Sequence, residues 1–100
     1  MADDLVQIAL QKGHLKSVLR QLKTQKLDHA ESILRATKAA MRRLRLKPDP
    51  SKAAKGVPKG SDQCDVGSFI AWTNKITKVD TEAIQQLIKI HATAAARMGG

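Results

Sequence analysis

Residues 28–47 read Asp28-His29-Ala30-Glu31-Ser32-Ile33-Leu34-Arg35-Ala36-Thr37-Lys38-Ala39-Ala40-Met41-Arg42-Arg43-Leu44-Arg45-Leu46-Lys47. Asp28 and Glu31 have the spacing of a capping box, in which the first side chain accepts from backbone N–H groups and the second reaches back. From there Ala30, Ile33, Leu34, Thr37, Met41 and Leu44 recur at steps of three and four, the period of one helical face. Pro48 forces a stop, because its ring disfavours helical backbone in the residue before it. The stretch is therefore predicted to be one long amphipathic helix. Nowhere does the chain alternate apolar and polar residues as a strand does, and it has no Asn-Gly or Asp-Gly hairpin signal.

The same reading extends in both directions. On the N-terminal side a helix is predicted from about Asp3 to Thr24, with Leu5, Ile8, Leu15, Leu19 and Leu22 on its apolar face and Lys12 filling one slot. Gly13 weakens it without ending it, and a turn falls at Gln25-Lys26-Leu27. On the C-terminal side residues 48–63 hold three prolines, two glycines and three lysines, and read as a flexible basic linker. A third helix is expected over about Asp65–Lys78, burying Val66, Phe69, Ile70, Trp72, Thr73 and Ile76. Asp80 is expected to cap a fourth, whose stripe is Ile84, Leu87, Ile88, His91, Ala94, Ala95 and Met98, ended by Gly99 and Gly100. The predicted fold is all-α: a single domain over 1–100, built as a small bundle of about four helices. Two helical hairpins, about 3–47 and about 64–98, flank the basic Pro/Gly/Lys linker.

Charge is distributed unevenly. The chain of 100 residues carries 18 Lys and Arg against 9 Asp and Glu, a formal net charge of +9. Asp3, Asp4, Asp28, Glu31, Asp65, Asp80 and Glu82 all fall at predicted helix starts, where they complement free N–H groups and the positive end of the helix dipole. Asp49 and Asp62 lie in the linker, so no acid is left over for a helix body. The cations form stripes. Lys12, Lys16, Arg20 and Lys23 lie within about 80° of one another on the first helix, and Arg35, Lys38, Arg42 and Arg45 do the same on the second. Arg43 adds to the second stripe, and Lys52, Lys55 and Lys59 continue the charge into the linker. One-signed, localised charge of this kind suits a polyanionic partner.

Several chemistries find no support. His14, His29 and His91 are far apart in sequence, with no acid spaced to orient any of them, so a catalytic site is not expected. Cys64 is the only thiol; with His91 it would give two ligands, too few for zinc, and no metal or other cofactor is expected. Gly56-Val57-Pro58-Lys59-Gly60-Ser61 lacks phosphate-loop spacing. His91, inside the fourth stripe, reads as a core or interface histidine, and Trp72 as a core anchor. Phe69 and Trp72 are the only aromatics, so stacking on single-stranded bases is not expected, nor is a helix-turn-helix or zinc finger. No apolar run approaches the ~20 residues of a membrane span, and a reducing cytoplasmic compartment is expected.

Two functions follow as expectations. The first is a non-enzymatic module that grips nucleic acid or a nucleoprotein complex by backbone electrostatics, through Lys12, Lys16, Arg20, Lys23, Arg35, Lys38, Arg42, Arg43, Arg45, Lys52, Lys55 and Lys59. The second is a small inhibitor or adaptor, of the phage type that blocks a host nucleoprotein machine, docking on an acidic protein surface. A homodimer would complete so small a core, though the sequence does not demand one.

Overall fold

The computed structural model describes residues 12–24, 27–59 and 66–99, with side chains placed from Lys16 and from Gly67 in the first and last of these stretches. Asp3, Asp4, Leu5, Ile8, Gln25, Lys26, Asp62, Cys64 and Asp65, with the expectations attached to them, lie outside the described residues. So do the side chains of Lys12, His14, Leu15 and Val66.

The fold is a small all-helical bundle. Among the described residues there are four α-helices and no strand: α1 (Lys12–Thr24), α2 (Leu27–Leu44), α3 (Val66–Lys75) and α4 (Thr81–Arg97), with a single 3₁₀ turn over Pro50–Lys52. The radius of gyration is 12.1 Å, against the roughly 13 Å of a compact domain of ~100 residues. The two hairpins therefore interlock rather than standing apart. α4 is the central element: it packs on α2 most extensively, and also on α1 and the 3₁₀ turn, while α3 packs on α2.

The second helix is close to its sequence reading. Ala30, Ile33, Thr37, Met41 and Leu44 are buried, with Ala40 joining them and Leu34 half-buried. Its first turn differs. The helix begins at Leu27, so Asp28 lies inside it. Glu31 does not reach back; its carboxylate accepts from Arg35 Nη2 at 2.9 Å, one turn ahead. This corrects the expectation that no helix body pairs an acid with a cation, although an exposed pair of this kind contributes only about 0.3–0.5 kcal/mol. The C-terminal end is a Schellman motif. Arg45 takes φ 57, Arg45 N–H donates to the Arg42 carbonyl at 3.1 Å, and Leu46 N–H donates to the Met41 carbonyl at 2.9 Å.

The third and fourth helices also depart from expectation at their junction. α3 ends at Lys75 rather than Lys78. Asp80 stands at the head of α4 but gives that helix no side-chain cap. Its carboxylate turns back and accepts from the Thr77 N–H at 2.8 Å and the Thr77 hydroxyl at 3.1 Å, closing the turn between the helices. On α3, Phe69, Trp72 and Thr73 are buried, followed by Ile76 just beyond it, whereas Ile70 is exposed. The Phe69 and Trp72 rings lie 5.5 Å apart, tilted by 38°, within the range where aromatic pairs attract beyond simple burial.

On α4 the buried arc is wider than one stripe. Leu87, His91 and Ala94 are buried as the pattern predicts, but so are Ala83, Ile90, Ala92 and Thr93. For Ala92 and Thr93 the reason is the segment read as a flexible linker. Its described part, residues 48–59, is laid against α4. Asp49 caps the 3₁₀ turn by accepting from Ser51 N–H at 3.1 Å. Ala54 N–H donates to the fully buried Thr93 hydroxyl at 2.9 Å, and Ala54 packs on the core. Farther on, Arg20 Nη1 donates to the Pro58 carbonyl at 3.3 Å. The prolines that mark this stretch as non-helical also stiffen it, lowering the entropy lost when it docks.

Candidate functional site

The cations fall into three groups once their surroundings are seen. Some are structural. Arg43 reaches from α2 to donate Nη2 to the Thr73 carbonyl at 2.9 Å, one of the last carbonyls of α3, which have no partner within the helix. A cation there also complements the negative end of the helix dipole. Arg20 holds Pro58, and Arg35 pairs with Glu31. These three side chains are already committed within the fold.

A second group meets in a cleft. Lys16 from α1, Lys55 from the docked segment and Lys89 from α4 line one depression of about 390 Å³. Its walls are otherwise Leu19, Ala54, Val57 and Pro58, and no acid lines it among the described residues. The Arg20–Pro58 contact pins the outer wall of this cleft to α1. Lys89 is absent from the sequence-predicted set. It is the only lysine of α4, on the less basic half of the chain, and only the crossing of three elements reveals its neighbours. Three ammonium groups around one hollow raise the local potential and attract an anion able to span them.

The third group borders a groove between α2 and α4. Lys38 and Arg42 line it, with Leu34, Met41, Leu46 and Ala95 giving apolar surface and His91 facing it from α4; its volume is about 450 Å³. Lys38 and Arg42 are exposed and have no acidic partner among the described residues. They therefore edge the apolar face of α2. Arg45, Lys52 and Lys59 are exposed elsewhere and Lys23 is half-buried.

His91 is buried at 8% exposure, and its Nδ1 has no hydrogen-bond partner among the described residues. Burial pushes its pKa below the usual imidazole value, and the positive charge of Lys38 pushes the same way. Both effects favour the neutral form of the ring. His29 is different: its Nε2 meets Gln21 Oε1 and ties α2 to α1. Among the described residues no three His, Cys, Asp or Glu lie close enough to share a metal ion, and no helix is long and apolar enough to cross a membrane.

No protein-family model, curated protein or solved structure matches the chain.

Proposed function

We propose that the chain is a non-enzymatic binding module for nucleic acid or a nucleoprotein complex, held mainly by electrostatic contacts to a phosphate backbone. The observation that carries this reading is the convergence of Lys16, Lys55 and Lys89, from three separate elements, on one cleft that no acid lines among the described residues. Such a cluster repels itself, and phosphates relieve that repulsion while releasing counterions. Exposed Arg45, Lys52 and Lys59 add positive charge elsewhere on the surface. Phe69 and Trp72 are buried at 2% and 1% exposure, so bases gain no stacking platform from them. The contacts are accordingly backbone-directed. A single cysteine suits a reducing, cytoplasmic setting.

A mobility-shift titration with generic duplex and single-stranded DNA at two salt concentrations tests the proposal. Micromolar, steeply salt-dependent binding is expected. Neutralising Lys16, Lys55 and Lys89 together should flatten the duplex salt slope by about 2.7, at about 0.9 per phosphate contact. Affinity that does not change with salt, or a triple variant that binds like the wild type, refutes it.

A second reading has its own observation. The groove between α2 and α4 couples an apolar floor with a cationic border, a combination suited to an acidic protein surface rather than to phosphates alone. On this reading the chain is an inhibitor or adaptor that docks on such a surface.

A further inference from the structure

The α2–α4 groove has a shape that simple charge attraction does not require. Leu34 and Met41 on α2, Leu46 just past its Schellman turn, and Ala95 on α4 leave an open apolar hollow of about 450 Å³. That is within the range of sites that enclose a ligand group of ~300 Å³ and upward. Lys38 and Arg42 stand one helical turn apart along one edge, roughly 5–6 Å between their Cβ atoms by helix geometry. Among the described residues no acid lines the groove. Asp49, which follows Pro48 in the chain, accepts from the Ser51 N–H and hydroxyl. His91 lines it from α4, nine-tenths buried and with Nδ1 lacking a partner among the described residues.

From this geometry we infer that the groove receives one bulky apolar side chain from an acidic segment of a protein partner, with carboxylates beside that side chain pairing to Lys38 and Arg42. The apolar anchor displaces water from Leu34, Leu46 and Ala95. The paired cations set its position along α2. A nucleobase fits less well, because neither Phe69 nor Trp72 lines the groove to stack on it and the His91 ring is nine-tenths buried. Anchoring of this type concentrates binding energy in one residue, with a polar rim supplying orientation. The inference rests on the second reading above and gives its acidic partner a recognition element.

Two peptides test it: one tryptophan flanked by two glutamates on each side, and the same peptide with alanine in place of tryptophan. Calorimetric titration should show the tryptophan peptide binding at least tenfold more tightly, with NMR shifts centred on Leu34, Leu46 and His91. Ala95→Phe, which fills the groove without changing charge, should erase the difference; Lys38→Ala with Arg42→Ala should weaken both peptides. Equal binding of the two peptides to the wild-type protein overturns the inference without needing any variant to fold. A generic duplex in parallel separates the readings. Salt-dependent duplex binding without peptide discrimination leaves the phosphate reading standing and the groove inference refuted. Peptide discrimination without duplex binding does the reverse.

Discussion

Replacing Thr93 by valine should detach residues 48–59 from α4. Thr93 is fully buried, and its hydroxyl accepts from Ala54 N–H at 2.9 Å while donating to the Lys89 carbonyl at 2.8 Å. Valine has nearly the same shape, so no cavity opens. The Lys89 carbonyl keeps its helical partner and loses little. Ala54 N–H, however, loses its only acceptor, and stranding a buried donor costs about 1–3 kcal/mol. Ala54 is half-buried, so water recovers part of this, leaving about 1–2 kcal/mol. At ~4–8 °C per kcal/mol for a domain of this size, Tm should fall by about 4–16 °C. Thr93→Ser supplies the contrast. It keeps the hydroxyl and loses a methyl, costing about 1 kcal/mol through packing alone. Amide exchange separates the two variants: Ala54 should lose its protection in Thr93→Val and keep it in Thr93→Ser. An Ala54 amide that exchanges freely in the wild-type protein, or one equally protected in both variants, refutes the docking of this segment.

Three further outcomes are expected. His91 is neutral when folded, and its pKa is depressed by burial and then by Lys38, whereas the unfolded chain takes up a proton near the ordinary 6.5; stability is therefore full above that value and lost as pH falls toward the lowered folded one. His91→Leu should flatten the fall in Tm between neutral and mildly acidic pH, and an unchanged slope refutes this. Arg45 holds φ 57, a conformation that glycine adopts without steric cost, so Arg45→Gly should raise stability in urea by about 0.5–1 kcal/mol, and Arg45→Val should lower it. Arg43→Ala should cost about 1 kcal/mol in urea with little effect on DNA binding, because that guanidinium serves the end of α3; a large binding loss at unchanged stability would reverse the assignment.

The helices were legible in the sequence because their apolar residues repeat at the helical period. Ile33, Thr37, Met41 and Leu44 are buried together for that reason. Thr93 and Ala92 were not legible, because they are covered by a crossing segment, and a crossing leaves no periodic mark on the helix beneath it. Asp80 shows the same limit at shorter range: its position suits a cap, but the Thr77 N–H and hydroxyl behind it compete for the same carboxylate and hold it. For the cations, spacing could place Arg42 and Arg43 side by side on α2 but could not separate their roles. One borders an open groove and the other reaches the end of a neighbouring helix. Lys89 escaped notice because its nearness to Lys16 and Lys55 is purely tertiary.

The central place of α4 also sets a schedule for synthesis. Among the described helices α4, on which α1 and α2 pack, follows both of them in the chain. At ~5–20 residues per second, a ribosome needs about 3–10 s to extend the chain from Leu44 to Arg97. Through that interval Ile33, Met41 and Leu44 on the emerging α2 lack the helix that covers them. The strongly basic N-terminal hairpin thus enters the cell with its apolar side open, and its burial waits for the final helix to arrive.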